Sequence, residues 1–246
     1  MPLPVGAEFT ALLTHSGSRG VGHQMASYYS EVAHQKTAHI ARGIPAEYSW
    51  LSIDDDAGRE YLQVMQLMGR YAQANHHLIH AHFLKRTGLA AVPVKGSRVD
   101  LPHIRPEFSV IENHHNFAWV EGDWVIHRKG ATPAGKGVAG LIPGSSGTRS
   151  YLVTGLGEPD SLESSSHGAG RPYSRSEAKR RHDADFFKNW MAQHDIAYQG
   201  VAPDETLLAY KDIETVIGLQ AGVLVELVAE MFPLAVRMGG MADDGD

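Results

Sequence analysis

Cysteine is absent from this 246-residue chain. Without a thiol the protein forms no disulfide and holds no metal through thiolates, so disulfide scaffolds and cysteine zinc sites are excluded. Long apolar runs are also absent, and the first residues lack the basic and apolar regions of a signal peptide. We therefore expect a cytoplasmic protein that does not enter a membrane.

A surplus of positive charge is lacking too. The chain has 22 Lys and Arg against 28 Asp and Glu, a formal net charge of −6 at pH 7, which argues against indiscriminate nucleic-acid binding. Acid gathers at residues 54–56 and 241–246, whereas base gathers at residues 128–129 and across residues 171–181. A local basic patch on an acidic protein fits capture of a phosphate-bearing substrate, but a solvated helix face gives the same pattern.

Histidine is the residue type in unusual supply, with 15 copies. Imidazole is a common metal ligand and acid–base group, although most histidines in a protein act as neither. A predicted helix over residues 57–85 ends in a cluster of four: His76, His77, His80 and His82. His76 and His80 share a face and such a pair can bind a transition metal. The acid and third ligand of a known zinc motif are lacking, so a solvated or core-edge role is favoured.

Small residues surround one histidine, His167, which is followed by Gly, Ala and Gly at residues 168–170. Such residues let another group approach the backbone closely. Arg171 and Arg175, four residues apart, offer forked donors that suit a phosphate. Together these features indicate a nucleotide or phosphoryl site. The alternative is a surface turn that carries a stray histidine.

Apolar periodicity predicts the fold class α+β (mixed α/β), with one domain over residues 1–240 and an acidic disordered tail at residues 241–246. Ser174 and Glu177 have the spacing of a capping box that opens a helix. Strands are predicted over residues 8–14, 108–112, 117–120, 123–127, 151–154 and 233–236. Helices are predicted over residues 21–43, 57–85, 174–193, 210–217 and 221–230.

Several loops together carry a resemblance to a known family. Their order and composition are similar to the motifs of the RtcB family of RNA-splicing ligases. Five such motifs in register are a far more specific signal than any one of them, and the resemblance runs from about residue 12 to residue 239. The motifs are residues 15–20, 112–119, 127–132, 142–151 and 166–171, with weaker matches at residues 210–213 and 233–236.

The resemblance implies an enzyme that joins RNA 3′-phosphate or 2′,3′-cyclic phosphate ends to 5′-hydroxyl ends, with GTP and Mn²⁺ as cofactors. It implies that His167 is the guanylylated nucleophile. It also implies that His15 and His115 are metal ligands. The implied phosphate clamps are Arg19, Arg171 and Arg175. The implied nucleotide-binding residues are His115, Asn116, Pro143, Gly144, Ser145, Ser146, Ser150, His167, Gly168, Ala169 and Gly170.

The resemblance covers only part of the family's pattern. The family has an N-terminal portion with aspartate and cysteine metal ligands and a glycine–asparagine–histidine motif, so this chain resembles the C-terminal part. A separate N-terminal fragment or subunit is therefore an expected partner, beside RNA. Ser146 stands where the family usually has methionine. The family's terminal lysine falls at Met238, with Arg237 beside it.

Two other functions stay open. One is a metal-dependent hydrolase that opens cyclic phosphates without sealing the RNA. The other is a truncated or split relative that binds RNA or a nucleotide without catalysis. The retained His167 and its glycines favour the ligase, whereas the absent aspartate and cysteine ligands favour the binding module.

Overall fold

Helices and small sheets make up the described part of the chain, residues 5–88 and 110–239 of the computed structural model. The chain divides into two compact units. We call Thr10–Ser109 the helical unit, and Val110–Asp246 together with Met1–Phe9 the mixed unit. The combination of helices and sheets confirms the predicted α+β class.

Two long helices build the helical unit: α1 over Arg19–Thr37 and α2 over Asp56–Thr87. Tyr29 and Ala33 are buried one turn apart on α1, the spacing with which a helix covers a partner. The ring of Tyr29 lies 5.2 Å from the ring of Tyr61 on α2. Both helices were predicted, although α1 ends earlier than expected. Among the described helices, none combines the length and the apolar character that crossing a membrane requires.

The segment before α1 contains no strand, so the strand predicted over residues 8–14 is wrong. The alternation of Phe9, Ala11 and Leu13 suits a strand, but a strand also needs a neighbour that completes its backbone hydrogen bonds. In the part of the chain that the structure describes, no strand pairs with this segment. Phe9 and Leu13 are 42% and 39% exposed and so add little to a core.

Short strands pair as small sheets in the mixed unit. In chain order they are β1 Phe117–Glu121, β2 Trp124–Arg128, β3 Ala131–Pro133, β4 Ala139–Ile142, β5 Ser150–Gly155, β6 Ser164–Ser166, β7 Ala197–Gln199, β8 Val225–Met231 and β9 Ala235–Arg237. β1 and β2, which correspond to the strands predicted over residues 117–120 and 123–127, form an antiparallel hairpin, and β3 pairs with β6. β5 lies between β4 and β8 in an antiparallel sheet, and β7 pairs with β9 in parallel.

The helix predicted over residues 174–193 is two helices, α3 over Arg175–Arg181 and α4 over Ala184–Gln193. Ser174 caps α3 as predicted. The Asp183 carboxylate accepts a 2.8 Å hydrogen bond from an amide of the following turn and thereby starts α4. A second strong cap in the middle of the helical pattern therefore divides it.

The helix predicted over residues 221–230 is wrong, because most of this segment belongs to β8. Its alternating apolar and acidic residues suit a strand as well as a helix. Pairing with β5, from Val225 to Met231, selects the strand because it completes the backbone hydrogen bonds of both. The helix predicted over residues 210–217 is α5, which occupies Ile213–Gly218.

Some predictions fall outside the described residues. The acidic tail at residues 241–246 lies outside them, as do residues 108–109 of the strand predicted over residues 108–112. Residues 110–112 are described and contain no strand. The predicted domain end at residue 240 stays a prediction.

Apolar side chains from the β4–β5–β8 sheet and α5 form most of the core of the mixed unit. Its buried members are Ala134, Ile142, Tyr151, Val153, Ala169, Ile213, Ile217 and Val225. A second cluster on and after α4 contains Phe187, Met191 and Ile196. Since Ala169 belongs to the cluster that contains Ile142 and Tyr151, the packing of Ala169 anchors the loop after β6 to this core.

Met191→Ala should lower the free energy of unfolding by about 2–5 kcal/mol, because it leaves a cavity where a side chain is fully enclosed. Met191 is 0% exposed. Urea titration of both proteins measures the change. The matched control on the same helix is the exposed Lys188→Ala, expected within about 0.5 kcal/mol of wild type. Equal effects of the two changes would show that α4 does not build this core.

Candidate functional site

His167 follows β6 directly, so the pairing of β6 with β3 fixes its position. Its amide donates a 3.2 Å hydrogen bond to the Gly130 carbonyl and extends the ladder by one residue. After His167, Ala169 is buried, and the Gly170 carbonyl accepts a 2.9 Å hydrogen bond from the amide of Lys211. His167 therefore lies on a short loop that is held at both ends.

The imidazole of His167 lies beside a second imidazole. His115 precedes β1, and its ring centroid is 4.8 Å from that of His167 at an interplanar angle of 49°. Nδ1 of His167 is buried and forms no hydrogen bond with any described residue. Gly130 lies beside the ring, because a Cβ built there would be 3.8 Å from Cε1 and 3.9 Å from Nδ1. Because Nδ1 is the buried nitrogen, Nε2 is the candidate for a reacting nitrogen.

Asn116 contacts the same glycine, Gly130, as His167 does. Its φ of 54° is a left-handed conformation that asparagine adopts more readily than most residues. Its carboxamide oxygen accepts a 2.9 Å hydrogen bond from the amide of Gly130. Asn116 and His167 thus bind the two backbone groups of one glycine, which brings the predicted site residues His115, Asn116 and His167 together.

Gln220 supports the site from the turn after α5, and no sequence pattern predicted this role. This side chain is 5% exposed. Its oxygen accepts a 3.1 Å hydrogen bond from the Ser166 amide, and its nitrogen donates to the Ser166 hydroxyl at 2.6 Å. A third bond, to the Val216 carbonyl at 3.2 Å, ties the amide to α5. The residue before His167 is therefore fixed through its backbone and its side chain.

The loop between β4 and β5 is closed by its own hydroxyl groups. The Ser150 hydroxyl accepts a 3.1 Å hydrogen bond from the Gly144 amide, and the Thr148 hydroxyl accepts one of 2.7 Å from the Ser145 amide. Gly144 is required here, since a Cβ would lie 2.0 Å from the Arg149 carbonyl oxygen. The predicted nucleotide-binding residues Gly144, Ser145 and Ser150 therefore belong to one tight loop.

This loop and the His167 loop lie against each other. A Cβ built at Gly168 would be 3.1 Å from the Pro143 carbonyl oxygen, which is closer than most real contacts. From the other side, the Trp190 indole donates a 2.9 Å hydrogen bond to the Gly147 carbonyl. The buried Ser146 hydroxyl donates to the Glu205 carbonyl at 3.0 Å. Ser146 thus anchors the loop through its side chain.

Two carboxylates, Asp204 and Glu205, form what we call the carboxylate hub. Arg171 contacts the Glu205 carboxylate at 2.6 Å. Arg175 contacts Asp204 at 2.8 Å and Glu205 at 2.6 Å. The Tyr210 hydroxyl accepts a 2.6 Å hydrogen bond from Arg171 and donates to Glu205. Two of the three arginines predicted to bind phosphate, Arg171 and Arg175, are therefore paired with carboxylates here, and their contact with phosphate stays a prediction.

The contacts within the carboxylate hub shift the pKa values of Asp204, Glu205 and Tyr210. The hydrogen bond from Arg175 holds the pKa of Asp204 below its ordinary value of 3.8. Burial acts to raise the pKa of Glu205, but hydrogen bonds from Tyr210 and Arg175, with the charges of Arg171 and Arg175, lower it below 4.5. Burial raises the pKa of Tyr210, and its bond to Glu205 adds to this. The hub is thus ionised, with Tyr210 neutral, near neutral pH.

His15 and Arg19 belong to the helical unit. His15 lies in the irregular segment before α1, and Arg19 is the first residue of that helix. The side chain of Arg19 lies outside the described part of the structure. Because His15 and His115 belong to different units, their role as ligands of one metal site stays a prediction. Within the described residues, no three His, Cys, Asp or Glu side chains are grouped so that they could hold a metal ion.

Comparison with known proteins relates the chain to one family. The family described as tRNA-splicing ligase RtcB matches residues 5–239. The chain is 30% identical to the RNA-splicing ligase RtcB of Escherichia coli K12, over 88% of this chain and 53% of that protein. It is 31% identical to the tRNA-splicing ligase RtcB of Thermococcus kodakarensis, over 93% and 52%. The chain spans about half the length of these curated relatives.

The carboxylate hub should make folding stability depend on pH. The pKa of Glu205 is lower in the folded chain than its ordinary value of 4.5. The ionised carboxylate therefore stabilises the fold at pH values above 4.5, and this stabilisation is lost as the pH falls through the lowered pKa. Glu205→Gln should therefore cost about 1–3 kcal/mol at pH 7, and the difference from wild type should narrow towards about pH 3.

Urea titration at several pH values measures this difference. The control is Glu226→Gln, at an exposed position of β8, which should change stability little at any pH. A Glu205→Gln difference that stays constant or widens as the pH falls would contradict the assigned direction of the pKa shift.

Proposed function

The chain belongs to the RtcB family of tRNA-splicing ligases, and on this premise we propose that it joins RNA 3′-phosphate or 2′,3′-cyclic phosphate ends to 5′-hydroxyl ends. GTP is the proposed energy source and His167 the proposed site of guanylylation. The observation that supports this most is the environment of His167. Its loop is fixed at both ends, its Nδ1 is enclosed, and small residues leave the backbone around it open to a phosphate.

His167 would act as a nucleophile towards GTP. Nε2 attacks the α-phosphorus, a P–N bond forms, and the P–O bond to pyrophosphate breaks. The guanylyl group then passes to the RNA 3′-phosphate, which frees His167. Attack of the RNA 5′-hydroxyl on the activated 3′-phosphorus makes the new phosphodiester bond and releases GMP. A cyclic phosphate end must first be opened to a 3′-phosphate.

The two adjoining loops are the proposed nucleotide site. The loop of Gly144 and Ser145 is held rigid by Ser150, and it touches the His167 loop where Gly168 meets Pro143. A rigid pair of loops places the nucleotide without further ordering, and positioning supplies most of the catalysis in phosphoryl transfer. Gly168 fits this role because a larger residue would press on the carbonyl of Pro143.

The two arginines would bind the phosphates beside His167. The hydrogen bonds of Arg171 use Nε and Nη2, and those of Arg175 use Nη1. A guanidinium has five N–H donors, so each keeps further donors while the carboxylate hub holds its orientation. Arg19 is proposed as a third phosphate contact.

Mn²⁺ is the proposed metal, with His115 and His15 as ligands. The arrangement fits such an ion at one point, because the His115 imidazole lies beside the ring of the proposed nucleophile. A bound divalent cation would neutralise phosphate charge. Further ligands would have to come from outside this set, and a separate N-terminal fragment or subunit is the proposed partner that supplies them. The cytoplasmic location stays a prediction.

His167→Ala should abolish covalent, acid-labile labelling of the protein by radiolabelled GTP in the presence of Mn²⁺, because the attacking nitrogen is removed. The control is His127→Ala, an exposed histidine on β2 that should leave labelling unchanged. Both are measured with the chain alone and with the unmatched half of the Escherichia coli relative added.

The outcomes separate the candidate functions. Labelling that survives His167→Ala but disappears with His127→Ala would refute the assignment of the nucleophile. Opening of a 2′,3′-cyclic phosphate by a wild-type protein that is never labelled would favour the hydrolase. Nucleotide or RNA binding without either reaction would favour the non-catalytic relative.

A further inference from the structure

The histidine-rich end of α2 is bonded to the segment that carries His15. The Asn75 amide donates to the Ser16 hydroxyl at 3.0 Å and to the Gly17 carbonyl at 3.4 Å. His76 Nε2 lies 3.0 Å from the Ser16 carbonyl oxygen. His80 Nε2 and the Thr14 hydroxyl are 2.9 Å apart. We call Asn75, His76 and His80 the α2 clamp.

The clamp brackets His15 on both sides of the chain. His80 holds the residue before it, and Asn75 and His76 hold the two residues after it. The Ser16 carbonyl can only accept, so Nε2 of His76 carries the proton in this bond. Residues 14–17 have no regular secondary structure, so Asn75 and His76 provide hydrogen-bond partners for the Gly17 and Ser16 carbonyls that a strand or helix would otherwise provide.

This arrangement gives two members of the histidine cluster, His76 and His80, a role in holding the segment before α1. His76 and His80 lie one turn apart and share a face, as expected, but each uses Nε2 in a hydrogen bond to the segment before α1. His76, His80 and Asn75 are all partly buried, whereas His82 is exposed. The partial burial of Asn75, His76 and His80 agrees with their contacts to residues 14–17.

We propose that the α2 clamp positions His15 for metal binding. The proposal rests on the proposed function, because it takes His15 as a ligand of Mn²⁺. An irregular segment moves unless tertiary contacts order it, and an imidazole binds a metal well only when its backbone and ring are held in place. Asn75, His76 and His80 are thus positioning residues that act through Thr14, Ser16 and Gly17.

Imidazole NMR of the wild-type protein, titrated with MnCl₂, tests the proposal. The ring signal of His15, assigned with His15→Ala, should broaden at lower Mn²⁺ concentration than that of His82. In Asn75→Ala and His76→Ala the concentration that half-broadens His15 should rise about tenfold, the scale on which supporting residues act on a metal ligand. His76→Gln keeps a donor and should restore most of the effect, and His82→Ala should match wild type.

Amide hydrogen exchange of the same variants separates positioning from unfolding. Exchange at Ser16 and Gly17 should become faster in Asn75→Ala and His76→Ala, while amides in the middle of α2 stay protected. Loss of protection throughout α2 would show a merely structural role and overturn the proposal. Unchanged exchange and unchanged Mn²⁺ broadening in both variants would overturn it as well. Failure of Mn²⁺ to broaden His15 in wild type would instead refute the proposed metal role of His15.

Discussion

The hydrogen bond from the His167 amide to the Gly130 carbonyl is the contact on which the candidate site depends. It extends the β3–β6 ladder past its last strand residue, so the position of the histidine follows from strand pairing. Asn116 binds the amide of the same glycine, which places His115 beside His167. Gly130 therefore connects the segments of Asn116 and His167 through its amide and its carbonyl. The chemistry proposed for His167 depends on these two hydrogen bonds.

Side chains that bind backbone groups hold the loops of the mixed unit around His167. Gln220 fixes the residue before His167, and Trp190 and Ser146 fix the neighbouring loop. Within the helical unit, the α2 clamp holds the segment of His15 in the same way. Loops have backbone groups that no helix or strand satisfies, so buried polar side chains must satisfy them. This arrangement leaves short, rigid loops with small residues at the surface, and such loops suit a ligand that binds through phosphates.

The elements that the sequence predicted well are those with a strong local signal. Helix α2 has a long apolar stripe, and the β1–β2 hairpin has a glutamate–glycine turn between two apolar runs. The segment over residues 221–230 was predicted wrongly because its pattern suits a helix and a strand alike, and only the edge of β5 decides between them. The glycine-rich loops around His167 were recognisable as motifs. Gln220 and the carboxylate hub were not, because an amide or a carboxylate acquires such a role only through long-range contacts.

The central claim is that His167 carries the guanylyl group during RNA ligation. The most direct measurement is mass spectrometry of the peptide that contains His167, after the protein has been incubated with GTP and Mn²⁺ and digested without acid. We predict a mass increase of one guanylyl group that fragmentation assigns to His167, and its loss when RNA with a 3′-phosphate end is added. Sealing of RNA by a protein whose guanylyl group lies on another residue would contradict the account.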